Sequence, residues 1–87
     1  MERQFYKMYI EVEVLVGLQG ELTPQAIIYN GERYEIDRII RHQERHHSRN
    51  VNGAGEMFVV EIGKARRTIY REYLLSTKFC WYVETLR

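Results

Sequence analysis

Met8, Ile10, Val12, Val14 and Val16 occupy every second position of one run, with Tyr9, Glu11 and Glu13 between them. A repeat of two with β-branched residues on one side describes a half-buried strand, and no helix hides that period. Gly17 and the Gln19-Gly20 pair end the run. Thr23-Pro24 restarts the chain, and Gln25 to Tyr29 is again apolar and β-branched. Asn30-Gly31 then sits between two such runs. A type I′ hairpin needs positive φ at both central positions, and this dipeptide supplies it.

The rest of the chain reads the same way. From Glu32, Tyr34 and Ile36 point to one side, and Arg33, Glu35 and Asp37 to the other. Ile39 and Ile40 stand side by side and break the alternation, so a bulge or bend is expected near Asp37-Arg38. The polar stretch Arg41 to Arg49 either continues as a projecting strand or turns briefly helical. Asn50 to Gly55 reads as a turn. Glu56 to Ile62 alternates, with Phe58, Val60 and Ile62 on one side. Gly63 to Arg67 is a basic turn, Thr68 to Leu75 a strand, Ser76 to Lys78 a turn, and Phe79 to Thr85 a last strand with Trp81 and Val83 inward. A helix over Ile36 to His47 is the competing reading, but its apolar stripe stops after one turn.

Six short strands in 87 residues cannot build two large stacked sheets. The expectation is all-β: a small antiparallel barrel of the SH3-like or OB-like type, with five to six strands. One domain spans residues 1–87, with 1–7 as a loose N-terminal extension. One cysteine, Cys80, excludes an internal disulfide framework and a Cys-built zinc site. No apolar run is long enough for a membrane helix, and the N-terminus lacks the pattern of a signal peptide. A cytoplasmic, globular protein follows as the expectation.

The net charge of +1 announces no partner, but its distribution is uneven. Up to Asp37, the seven acids Glu2, Glu11, Glu13, Glu21, Glu32, Glu35 and Asp37 outnumber the three bases Arg3, Lys7 and Arg33; beyond it ten bases face five acids. If the halves occupy different faces, the surface is dipolar.

Longer pieces carry a resemblance. They are Met8-Tyr9-Ile10-Glu11-Val12, then Ile28-Tyr29-Asn30-Gly31-Glu32-Arg33-Tyr34-Glu35-Ile36-Asp37-Arg38-Ile39, Gly53-Ala54-Gly55-Glu56, Val60-Glu61-Ile62-Gly63, Ile69-Tyr70-Arg71-Glu72-Tyr73 and Trp81-Tyr82-Val83-Glu84. Their order, from Met8 to Glu84, resembles a family of short Gram-positive bacterial proteins with a Tyr-x-Ile-Asp-Arg-(Val or Ile) motif and no assigned activity. The resemblance implies a bacterial, cytosolic β protein and points toward the neighbourhood of DNA-repair polymerases. The chain departs from that pattern at His46-His47-Ser48-Arg49, where the family carries small and apolar residues.

Three groups of residues are candidates for function. His42, His46 and His47 lie within six residues, and three imidazoles can hold zinc or nickel. Arg41, Arg45 and Arg49 repel a cation there, so a solvated segment is expected, with no metal or other cofactor. Asp37 and Arg38, neighbours on a strand, point to opposite faces. A structural ion pair that fixes the bend is the expectation, with binding by Arg38 as the alternative. Arg38, Arg41, Arg45, Arg49, Lys64, Arg66, Arg67 and Arg71, with Tyr70 and Tyr73 beside them, resemble the arginines and stacking rings with which small barrels hold single strands. Glu44, Glu56 and Glu72 dilute that patch. Catalysis has no motif: no phosphate-cradling glycine loop, no nucleophile elbow and no paired carboxylates.

The expected function is therefore a non-catalytic interaction module binding another protein, with homodimerisation through a strand edge an option. Weak nucleic-acid binding by the arginine-rich side is the alternative. Arginines gathered with Tyr70 or Tyr73 on one face favour nucleic acid; scattered arginines and an open strand edge favour protein.

Overall fold

The computed structural model describes residues 5–47, 54–75 and 78–86. Residues 50–53 of the expected turn Asn50 to Gly55, 76–77 of the expected turn Ser76 to Lys78, Arg49, and the side chains of Arg45, His46, His47 and Tyr73 lie outside the described residues, whereas Ala54, Gly55 and Lys78 belong to strands. Among the described residues every regular element is a strand: β1 (Phe5–Val16), β2 (Leu22–Tyr29), β3 (Glu32–Glu35), β4 (Arg38–His47), β5 (Ala54–Ile62), β6 (Ala65–Leu75) and β7 (Lys78–Leu86). They form one antiparallel sheet in the order β3-β2-β1-β7-β6-β5-β4.

Seven strands replace the expected five to six because the run from Glu32 onward is two strands. β3 and β4 lie at opposite edges of the sheet, yet only Ile36 and Asp37 separate them in the chain. The Ile36 N–H donates to the Gln25 carbonyl at 2.9 Å, and the Asp37 N–H to the Glu61 carbonyl at 2.8 Å. Within two residues the chain leaves one edge and joins the other. The two edges must therefore approach each other here, and the sheet curls into a half-barrel.

β1 serves both halves of that curl. Phe5 to Ile10 pair with Leu86 to Trp81 of β7, whereas Glu11 to Val16 pair with β2. The hairpins form where the turn residues allow. Asn30 and Gly31 have φ of 50° and 78°, the left-handed pair that a type I′ turn requires. Gly63, with φ of 61°, opens the β5–β6 turn.

The core fills the concave side. Ile27, Phe58, Val60, Ile69 and Trp81 form its buried cluster, and Ile10, Val12, Val14, Ile36, Ile39, Ile62 and Val83 pack against it. Ile27 and Phe58 stand on strands far apart in sheet order, so only curling brings them into one cluster and takes their area out of water. The doubled isoleucine is absorbed by a bulge: the register passes from Ile39↔Val60 to Arg41↔Val59, skipping Ile40. Ile39 packs inward and Ile40 stays 37% exposed. Val16 follows the alternation in sequence but lies past the end of the core, 61% exposed.

Candidate functional site: the concave cleft

Residues opposite each other in an antiparallel ladder share a face, so the register assigns every candidate a side. Arg67 lies opposite core Val60 and Arg71 opposite core Trp81; both belong to the concave side. Arg38 and Arg66 flank Glu61, and Arg41 lies opposite Val59, on the convex side. Tyr70 is convex too, stacked on Tyr82 at 5.1 Å. Lys64 sits in the β5–β6 turn. The arginines thus divide between two faces.

Several of them are already engaged. Arg38 donates through Nε and Nη2 to the two Glu61 carboxylate oxygens, both at 3.1 Å, a bidentate pair on the surface that holds the guanidinium protonated. Asp37 does not pair with Arg38. Its Oδ2 accepts from the Gly63 N–H at 2.7 Å, tying the step between edges to the β5–β6 turn. Arg71 is buried and ion-paired with Glu56. The Glu56 Oε2 also meets His42 Nε2 at 2.8 Å, and the His42 ring stacks on Phe58 with centroids 4.2 Å apart. Among the described residues no group of three His, Cys, Asp or Glu side chains converges on a point that could hold a metal ion.

A second polar cluster covers the convex face. Met57, Tyr70, Tyr82 and Tyr9 stand opposite one another across four strands. Tyr82 is 2% exposed although it faces away from the core, because Lys7, Tyr9 and Tyr70 cover it. Lys7 pairs with the buried Glu72, and the Tyr9 hydroxyl donates to Glu72 Oε1 at 2.8 Å. That bond to a carboxylate, with partial burial, pushes the Tyr9 phenol up to about 12.

A cleft of about 720 Å³ opens at the end of the half-barrel near the β2–β3 and β5–β6 turns. Met8, Ile10, Ile27, Tyr29, Tyr34 and Ile62 give it an apolar lining, and Arg66, Arg67 and Glu84 border it. Tyr29 and Tyr34 are 38% and 42% exposed. The Tyr34 hydroxyl donates to Glu32 Oε2 at 2.8 Å, which fixes the ring at the cleft mouth and raises its pKa. A concave, largely apolar surface with a few oriented polar groups is the usual form of a binding site.

Sequence reasoning placed Tyr34 on the same side as Ile36 but did not single out Tyr29 or Tyr34 as site residues. The signal was present: both rings flank the Asn30-Gly31 turn on inward-facing positions, too near the strand ends to be buried. Glu56 and Glu72 were read only as charges diluting a patch, whereas they are the acceptors around which the two polar clusters form.

No protein-family model, curated protein or solved structure matches this chain. Function is read from the geometry alone. Among the described residues no helix is long and apolar enough to cross a membrane.

Proposed function

We propose that this chain is a non-catalytic interaction module that takes an extended, acidic segment of another protein into its concave cleft. The observation that carries the reading is the open apolar cleft with Tyr29 and Tyr34 exposed at its mouth and Arg66 and Arg67 at its border. Exposed tyrosines add contact area at little cost in side-chain entropy, and they are favoured at protein interfaces. The two arginines outweigh Glu84 at the same border, which makes an acidic ligand the complementary one. We read the half-barrel as an open relative of the SH3-like and OB-like scaffolds, working in a bacterial cytoplasm.

Weak nucleic-acid binding remains the second reading. It rests on Arg38, Arg41 and Arg66 sharing the convex face. Glu61 lies among them and already binds Arg38, and Tyr70 is stacked against Tyr82, which leaves fewer phosphate and base contacts than the sequence suggested.

Heteronuclear NMR titration separates the two. A short peptide alternating glutamate with valine should shift the resonances of Tyr29, Tyr34 and Ile62. A single-stranded oligothymidine should leave them in place at ~50 mM salt, where phosphate contacts are strong. Shifts confined to Arg38 and Arg41, and produced by the oligonucleotide alone, would replace the first reading with the second.

A further inference from the structure

The ladder between β6 and β7 is incomplete. It runs from Leu75↔Lys78 to Tyr70↔Tyr82 and stops there. Beyond that point β6 continues from Ile69 back to Ala65, paired with β5 alone. β7 continues from Val83 to Leu86, paired with β1 alone. The two strands fork at the stacked pair Tyr70 and Tyr82. Arg66, Arg67 and Thr68 on one arm and Val83, Glu84 and Thr85 on the other both line the cleft. The cleft is therefore bounded by two strand edges whose facing backbone groups have no ladder partner. Edges of this kind are templates for an added strand.

We infer that the β6–β7 fork is a strand-insertion slot, in which an extended segment of a partner protein adds to the free edge of β6 at Ala65–Ile69. This deepens the reading of the cleft as a peptide site and rests on it. Running antiparallel to β6, the segment would turn alternate side chains to the two faces of the sheet. On the concave side they meet Met8, Ile10, Ile27 and Ile62, with Arg67 at the border, and should be apolar where they face the isoleucines. On the convex side they meet Arg66 on the β6 arm, to which an acidic residue is complementary, with Glu84 on the β7 arm. The slot also accounts for Glu84, whose Oε2 is buried with no hydrogen-bond partner; an inserted backbone N–H is a donor for it. Main-chain bonds would supply affinity and the alternating pattern specificity, as in other cases of strand addition.

The test uses the full chain and a labelled peptide alternating glutamate with valine, followed by fluorescence anisotropy. Insertion predicts binding, slowed hydrogen exchange at amides of 65–69, and a loss of about tenfold or more when alternate peptide amides are N-methylated. Arg66→Glu should weaken that peptide and strengthen one alternating lysine with valine. Binding that survives N-methylation in both registers, with no added protection at 65–69, would overturn insertion while leaving the cleft as the site. No binding of either peptide would overturn both. Protection at 65–69 in the peptide-free protein, accompanied by a doubled mass in light scattering, would assign the slot to a second copy and overturn the partner segment.

Discussion

Asp37 and Gly63, 26 residues apart in the chain, are joined by a 2.7 Å hydrogen bond from the Gly63 N–H to the Asp37 carboxylate. This bond fastens the point where the chain changes edges to the turn between β5 and β6. The neighbouring Asp37 N–H donates to the Glu61 carbonyl, and Arg38 holds the Glu61 carboxylate, so Asp37 and Arg38 both hold the β5–β6 hairpin.

Removing the carboxylate should loosen that grip. Asp37→Ala is expected to lower the free energy of unfolding by about 1 kcal/mol, the worth of one hydrogen bond to a charged acceptor at an exposed site. Denaturant melts of the two proteins check it. Asp37→Asn, which keeps an acceptor oxygen, should lie between them. An unchanged midpoint for the alanine variant would show that the backbone bonds of Ile36 and Asp37 hold the curl unaided.

Much of this fold is legible in the sequence because its physics is local. The alternation from Met8 to Val14, the Asn30-Gly31 turn and the inward Trp81 and Val83 follow from period two and φ preference alone. The division of the Glu32 run into β3 and β4 is not local. It depends on Gln25 and Glu61, from two distant strands, accepting from adjacent residues. The site failed for a related reason. Charge counting put Arg66, Arg67 and Arg71 together, but consecutive strand positions face opposite ways, and Arg71 is taken up by Glu56 on the concave side. The fork between β6 and β7 left no mark in composition, since it reflects where pairing stops rather than which residues are present.

The Glu56–Arg71 pair is nearly buried, with side chains 13% and 10% exposed. Glu56→Ala should cost about 3 kcal/mol, because a guanidinium kept from water loses this carboxylate and His42 loses it too. By contrast, Glu13→Ala removes a surface pair with Arg33 whose side chains are about half exposed, and should barely move the melting midpoint. The double variant Glu56→Leu with Arg71→Met should recover most of the loss, since neither charge is then left in the core. If Glu56→Ala and Glu13→Ala melt alike, the concave pair is hydrated and contributes little.

Gly55 is set by a close approach rather than by an unusual φ. A Cβ there would collide with the Arg71 carbonyl on the adjacent strand. Because the obstacle is backbone, β5 and β6 would have to separate at Gly55↔Glu72, next to Glu56↔Arg71. Gly55→Ala should therefore destabilise by about 1–3 kcal/mol, as overpacking does elsewhere. Alanine at Gly20 meets no atom and should cost only the strain of its positive φ of 84°, so the comparison separates collision from conformation.

Tyr9 gives the fold a dependence on alkaline pH. Its phenol is neutral while it donates to Glu72, and that bond holds its pKa at about 12, above the ordinary value of 10.0. In the unfolded chain the proton leaves near the ordinary value, so the unfolded state binds fewer protons between pH 10 and 12. The contribution of this bond is whole below pH 10 and is lost as pH rises through 12. Ultraviolet titration of tyrosinate should lose its component near 12 in Tyr9→Phe, and Glu72→Gln should bring that component back toward 10. Stability measured at pH 9 and pH 11 should fall less in Tyr9→Phe than in the parent. An equal fall in both proteins would place the alkaline sensitivity in another tyrosine.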